Sequence, residues 1–214
     1  MIKRTTRKHV LNYLKENPEL KVLDLGCGNR AGCESADVLV DMHDWSSGYP
    51  DKEFVVHDVN SVPLPFEDNE FDFCFCSHIL EHVHNPTEFI NELQRVSKAG
   101  YIEVPSPLCD NLVSGDDWGD PNGHKWWVYY DDAEEKIILR PRKFIVDKTV
   151  DIPELNMLYP FFRSSLVLEL RWYDDINFEM GDELYSYEDK VYNLEDSEMD
   201  SWILGSSVLT GKRF

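Results

Sequence analysis

Apolar positions along the chain follow two rhythms. Between residues 21 and 107, short apolar runs end on acids, glycines or turn formers. They are KVLDLG, ADVLVDM (residues 36–42), EFVVHDV (53–59), FDFCFCS (71–77) and GYIEVP (100–105). Near-continuous apolar runs of this length suit strands buried on both faces, as in a parallel sheet. Helical spacing takes over in two places. Val10, Leu11 and Leu14 predict a helix over about residues 4–17. A second helix follows Asn85 as N-cap, with Pro86 in the first position and Glu88 completing a capping box. Its apolar stripe is Phe89, Ile90, Leu93 and Val96, and Lys98-Ala99-Gly100 supplies the stop.

Strand, helix, strand in alternation predicts parallel pairing through right-handed crossovers. One crossover is odd. Gly26 to Ala36 leaves barely room for a helix, since a βαβ connection takes at least about 10–12 residues, so a loop with at most one helical turn is expected there. After Pro105 the rhythm breaks. Residues 106–127 are rich in turn formers and predict a long loop. WWVYY and KIILRP flank DDAEE as a hairpin, and LVLELRWY and INFEM predict further antiparallel strands. The expected fold is α/β: a Rossmann-like, mostly parallel sheet with helices on both faces and an antiparallel C-terminal addition. Residues 1–214 read as one domain, with 21–107 as its ligand-binding core and 108–214 as loop, hairpin and antiparallel strands.

Composition narrows the function. With 214 residues, 42% hydrophobic and 13% aromatic, the chain is globular. No apolar run approaches the roughly 18 residues that span a bilayer. The opening MIKRTTRKHVLNYLKEN lacks the apolar segment of a secretory signal, so a cytoplasmic location is expected. The formal net charge is −20, and residues 174–200 hold eleven acids against one lysine. Such a surface repels a phosphate backbone, so nucleic acid is a disfavoured partner. Cys27, Cys33, Cys74, Cys76 and Cys109 form no CxxC pair and read as free, buried thiols.

The chemistry-bearing residues recur at strand ends. Asp24-Leu25-Gly26-Cys27-Gly28 closes the first parallel strand, Asp41 the second, Asp58 the third and Ser77-His78 the fourth. Ligands of open parallel sheets bind in the crevice at the carboxyl ends of the strands. Gly26 and Gly28 permit close backbone approach to a ligand. Asp41 is suited to both hydroxyls of a ribose, Asp58 to an exocyclic adenine amine and the Val59 N–H to a ring nitrogen. Gly26, Gly28 and Gly32 do not make G-x-G-x-x-G, and no helix opens there to receive a pyrophosphate. An adenosine ligand without phosphates fits better.

VLDLGCGNR, LVDMHD and HDVNSVPLPFEDNEFDFCFCSHILEHVHNPTEF together resemble the class I S-adenosylmethionine-dependent methyltransferases, in the group with an LPF-D--FD segment followed by LEHV. The resemblance covers residues 21–107. It implies that Asp24, Gly26 and Gly28 shape the pocket for the cofactor's methionine part, that Asp41 holds the ribose, and that Asp58 and Val59 read the adenine. Ser77 and His78 then face the sulfonium and the acceptor. The sequence departs from the family at the loop's third glycine, replaced by Arg30, and in the nearly deleted helix that follows. Arg30 is open to two readings, a cation for the methionine carboxylate or an exposed loop residue.

Methyl transfer from a sulfonium is a direct displacement in which the cofactor carries the hard chemistry and the protein aligns the reacting atoms. A base is needed only for a protonated acceptor. His78, His82 and His124 are the candidate catalytic residues, with Glu81 beside them. His78, Glu81 and His82 at i, i+3 and i+4 share one helical face. With His124 they offer a four-ligand N/O set that resembles the metal site of small-RNA 3′-end 2′-O-methyltransferases, except that His78 stands where that family has Glu. LEH also occurs in methyltransferases without metal, and the acidic surface argues against RNA, so no metal is assigned. Trp118, Trp126 and Trp127 either wall an acceptor pocket under the 106–127 loop or belong to the core. Asp116, Asp117 and Asp120 lack calcium-loop spacing and read as solvated turn acids. The expected partner is a small-molecule acceptor. Two other readings stay open, a metal-assisted RNA 2′-O-methyltransferase and a silent cofactor-binding subunit that needs a partner protein. The oligomeric state is not legible.

Overall fold

The computed structural model describes residues 1–29, 32–112, 123–142, 161 and 163–181. Its first element is a strand that the sequence pattern did not announce, β1 (Ile2–Arg4), followed by helix α1 (Arg7–Glu16). Three residues with a single buried apolar side chain carry no readable period. The helix expected from about residue 4 starts later because Thr6 caps it, its side chain accepting from the His9 N–H at 3.2 Å. Parallel strands β2 (Val22–Leu25), β3 (Val38–Asp41) and β4 (Glu53–Val56) come next, then β5 (Phe73–Ser77), α2 (Pro86–Val96) and β6 (Ala99–Pro105). After the short α3 (Pro107–Leu112) come the hairpin β7 (Trp126–Asp131) and β8 (Lys136–Pro141), then β9 (Val167–Tyr173) and β10 (Phe178–Met180).

Seven strands form the main sheet in the order β1-β9-β6-β5-β2-β3-β4. The five from β6 to β4 run parallel, and β9 joins β6 antiparallel over seven registered pairs, Ala99↔Tyr173 to Pro105↔Val167. The chain therefore winds outward from β2 to β4, then returns to β5 on the other side of β2. That reversal makes β2 and β5 a topological switch point, where an open α/β sheet leaves a crevice at its carboxyl edge. The hairpin stands apart in a second sheet of order β10-β8-β7. There β10 pairs parallel with β8, against the antiparallel pairing expected for INFEM, because it returns through β9 of the other sheet rather than by a hairpin turn.

Strand alternation sorts the core into two layers. Leu23, Leu25, Val38, Val40, Cys74, Cys76, Ile102 and Val104 face α2, whose Phe89, Ile90, Leu93 and Val96 are all buried against them. Val22, Leu39, Phe73, Phe75 and Tyr101 face the other way and meet Val10 and Leu14 of α1. Helices thus cover both faces of the sheet, and all five cysteines are free and buried. Fully burying one such aliphatic or aromatic side chain contributes about 1.5–3 kcal/mol, so each helix is fixed by its stripe more than by its caps. Among the described residues no helix is long and apolar enough to cross a membrane.

Helix α2 begins as expected, with Pro86 first and the Asn85 side chain accepting from the Glu88 N–H at 3.3 Å. Its stop differs. Ser97 is already extended, and Ala99 and Gly100 belong to β6. The demand on Gly100 is steric: a Cβ there would lie 2.5 Å from the Cys74 carbonyl oxygen and 2.6 Å from Nε1 of Trp172. The crossover from β2 to β3 contains no helix among its described residues, as expected, and is tied by side chains instead. Asp24 accepts from the Cys33 N–H at 2.5 Å, and Asp37 from the Val22 N–H at 2.8 Å. The Tyr49 hydroxyl takes the Gly32 N–H at 2.9 Å and donates to the Gly28 carbonyl at 2.9 Å.

Two outcomes follow from this packing. Gly100→Ala is expected to lower unfolding stability by about 3 kcal/mol, since backbone and an indole ring cannot both withdraw; urea unfolding within 0.5 kcal/mol or so of wild type would contradict the contact. Asp24 supplies a pH dependence. Burial pushes its carboxyl up to about 7, against the Cys33 N–H and the Arg7 charge, which act to lower it, while Asp41 adds to the rise. A carboxyl whose folded pKa lies above its unfolded value binds more protons when folded, so its contribution to stability is full below about pH 4 and is lost as pH rises toward 7. Asp24→Asn should therefore gain on wild type by roughly 2–4 kcal/mol between pH 4.5 and 7.5 in denaturant titrations. Parallel curves for the two proteins would show that Asp24 does not titrate in this window.

Candidate active site

The carboxyl edge at the switch point gathers most of the residues singled out from the sequence. Asp24 lies in β2, buried to 2% exposure, and Gly26 and Gly28 follow with left-handed φ of +76° and +59°. Asp41 closes β3. One of its carboxylate oxygens accepts from the Gly28 N–H and the other from the His43 N–H, both at 3.0 Å. The turn after β2 is thereby clamped onto the end of β3, a bond reinforced by Gly26 and Cys27 N–H groups donating to the Val40 carbonyl.

Two expectations shift. At Gly26 the space of a Cβ is filled from within the protein, by Ile79, whose Cδ1 would lie 2.0 Å away, so the missing Cβ makes room for a neighbouring side chain. Asp58 does not end a strand: β4 stops at Val56 and Asp58 stands two residues beyond it. Its carboxylate accepts from the Asn60 N–H at 2.9 Å and side-chain amide at 3.0 Å, which holds it below the ordinary aspartate range. Val59 is half-buried against the main core.

At the end of β5 the structure adds a buried charge network. Glu103 in β6, 2% exposed, receives His78 Nε2 at 3.1 Å and the Ser77 hydroxyl at 3.3 Å. Arg7 of α1 reaches the Ser77 hydroxyl at 3.0 Å and Glu103 at 3.3 Å, and Arg163 reaches Glu103 at 2.9 Å. The Tyr101 hydroxyl donates its one proton to Glu103 and lies 3.0 Å from Glu169 Oε1. Burial alone pushes a carboxyl up, but His78, Tyr101, Arg7 and Arg163 outweigh it and bring Glu103 down to about 2. Burial likewise acts against the charge on His78, yet Glu103 and Glu81 raise that imidazole to about 9. His78 sits at a left-handed φ of +58°, with ring nitrogens on Glu103 and on Glu81 at 3.3 Å. Arg7, Arg163, Tyr101, Glu103 and Glu169 escaped the sequence reading. Its one available signal was Glu103 itself, an acid inside the apolar run GYIEVP, since glutamate is almost never fully buried unless paired.

His82 and His124 come together although 42 positions apart. Their rings lie 4.5 Å apart at 77°, with His82 Nδ1 3.0 Å from the Gly123 carbonyl and His124 Nδ1 2.6 Å from Asp110. One donor atom each from Glu81, His82 and His124 falls within 4.8 Å of the other two, and His78 is outside that set. Trp127 is buried, and Trp126 packs on the core with its indole N–H on the Val83 carbonyl at 2.8 Å. Arg30, Asp116, Asp117, Trp118 and Asp120 lie outside the described residues.

Comparison with known proteins agrees with this arrangement. Residues 23–102 match the family model Methyltransf_11, described as a methyltransferase domain. An uncharacterized protein of Methanocaldococcus jannaschii, MJ0638, is 30% identical over 122 residues, which are 52% of this chain and 51% of that one. The chain thus spans about half the length of this curated relative. Among solved structures, a chain in the complex of the Haloferax volcanii Trm112 methyltransferase activator with a candidate methyltransferase has a TM-score of 0.50 at 15% identity. That likeness covers 79% of this chain and 89% of the other. YcgJ of Bacillus subtilis has a TM-score of 0.37 at 21% identity, over 47% of this chain and 52% of its own. With its parallel sheet and switch-point crevice, the matched segment, residues 23–102, has the α/β fold of a methyltransferase domain.

Proposed function

We propose that the chain binds S-adenosylmethionine across the carboxyl ends of β2, β3 and β5 and transfers its methyl group to a small-molecule acceptor. The observation that carries this reading is the convergence at one switch point of Gly28, Asp41 and Ser77 from three adjacent strands. Registered pairs Leu25↔Val40 and Leu25↔Cys76 bring those strand ends level. The donor set fits the ligand. Asp41, held by two N–H groups, keeps further lone pairs for ribose hydroxyls, and among the described residues the β2–β3 edge presents carboxylates, which suits a ligand without phosphates. Arg7, which reaches Ser77 and whose charge acts on Asp24, is placed to pair with the carboxylate of the methionine part. Asp58 and Val59 follow β4 on the adenine side.

The bound cofactor supplies an electrophilic methyl on sulfur. The protein's own work is alignment and the exclusion of water. Ser77 and His78 fix the floor of the crevice through Glu103. His82 and His124, just past β5 and at the entrance to β7, stand on the acceptor side.

A second reading rests on the likeness to a chain found in complex with an activator over 79% of the present chain. In that reading turnover depends on a partner protein, and the apolar edge beside β4, where Val56 is 55% and Met42 60% exposed, is surface left for it. Adding a Trm112-type activator to the purified protein should then raise methyl transfer from a low basal rate, and an unchanged rate would dismiss this dependence.

Titration calorimetry with S-adenosylhomocysteine tests the primary reading. One site per chain is expected, with no binding of NAD. Asp41→Ala should lose about 2–3 kcal/mol, or roughly 30–150-fold in Kd, because charge-assisted bonds to two hydroxyls disappear. Absence of binding at millimolar ligand by the folded wild type would overturn it.

A further inference from the structure

One cluster at the carboxyl edge has no part in holding the cofactor. Glu81 is 1% exposed. One of its carboxylate oxygens meets His78 Nδ1 at 3.3 Å, and the other, Oε2, is buried with no hydrogen-bond partner. Leaving a buried carboxylate oxygen without a donor or cation is costly, and native structures rarely do so without a reason.

The two imidazoles beside it are prepared in a matching way. A carbonyl oxygen only accepts, so His82 Nδ1, at 3.0 Å from the Gly123 carbonyl, carries a proton, and its neutral ring keeps a lone pair on Nε2. His124 repeats the pattern. Its Nδ1 lies 2.6 Å from Asp110, a carboxylate 5% exposed that also pairs with Arg142 at 3.3 Å. Neither Nε2 has a hydrogen-bond partner among the described residues. Holding one ring nitrogen on a carbonyl or carboxylate so that the other faces outward is the usual support of metal-ligating histidines. Backbone bonds fix the pair in place: the Lys125 and Trp126 N–H groups donate to the Glu81 carbonyl at 2.7 and 3.2 Å, fastening the start of β7 to the turn after β5.

We propose that Glu81, His82 and His124 form a site for one divalent transition-metal ion. Two imidazole nitrogens and a carboxylate oxygen are a donor set for zinc-like ions and leave a coordination position open, whereas magnesium and calcium prefer all-oxygen shells. One donor atom from each of the three residues lies within 4.8 Å of the other two. Ligands at about 2.1 Å in tetrahedral geometry stand about 3.4 Å apart, so side-chain shifts of the order of an ångström close the trio on an ion. The set differs from the four-ligand one suggested by the spacing of His78, Glu81 and His82. His78 takes a carboxylate on each side, and its contact with Glu81 turns it into a support for that ligand. The location of the ion beside the acceptor rests on the methyltransferase reading, but the site itself does not.

The test is metal binding by the full chain. Protein stripped with chelator is dialysed against Zn²⁺ or Mn²⁺, with Mg²⁺ as control, and bound metal is counted by mass spectrometry while circular dichroism follows folding. One Zn²⁺ or Mn²⁺ per chain is expected, with a rise in the thermal midpoint that chelator reverses. Glu81→Gln and His124→Ala should each bind at least tenfold more weakly, and Asp110→Asn, which removes only the support of His124, should weaken binding about tenfold or more. His84→Ala, an exposed histidine outside the trio, should bind as wild type does. Failure of folded wild type to bind either ion, or unchanged binding in both ligand variants, would overturn the site. Calorimetry with S-adenosylhomocysteine on the same stripped protein separates the two readings, since loss of one ligand leaves the other measurable.

Discussion

Glu103 is the interaction on which the rest of the edge depends. A carboxylate that is 2% exposed cannot remain ionised without partners, and it draws them from four parts of the chain: Arg7 of α1, Ser77 and His78 at the end of β5, Tyr101 of its own strand, and Arg163 before β9. Removing one partner of such a set typically costs 3–5 kcal/mol, because a buried charge is left uncompensated. The network therefore holds α1 over the sheet, fixes the left-handed backbone at His78 and orients the turn that carries Glu81 and His82. Its position at the carboxyl end of β6 places a rigid polar floor next to the crevice that the switch point opens.

The crossover from β2 to β3 is closed without a helix among its described residues. A helix normally closes this connection and satisfies its own backbone. Here Asp24, Asp37 and Tyr49 each take a backbone N–H of the loop or its neighbouring strand, and Asp41 takes that of Gly28. Asp24 has little freedom left: it is buried, its carboxyl is pushed up to about 7, and it is committed to the Cys33 N–H. In the proposed site it sets the shape of the loop, and Asp41, at the crevice edge, is the acid proposed to meet the ligand.

Most of the parallel core was legible because its signals are local. Apolar runs ending on Asp or Gly and the capped stripe of α2 name their elements without reference to distant residues. The errors came where distance matters. β1 is three residues whose only reason to be a strand is pairing with β9, as in Ile2↔Trp172. Gly100 reads as a helix stop locally but answers to Trp172, far along the chain. At the site the acids at strand ends were visible, whereas Arg7, Arg163 and Tyr49 were not, since nothing near them in sequence says what they reach. His82 and His124 were each suggestive, and only the fold shows that their rings meet beside a Glu81 with one oxygen unsatisfied.

A crystal structure of the protein with S-adenosylhomocysteine tests the central claim most directly. The account predicts the ligand along the carboxyl ends of β2, β3 and β5, with both ribose hydroxyls on Asp41, its amino-acid end near Gly28 and Arg7, and its sulfur toward Ser77. A ligand bound elsewhere, or one at this edge with Asp41 still engaged only by Gly28 and His43, would contradict it.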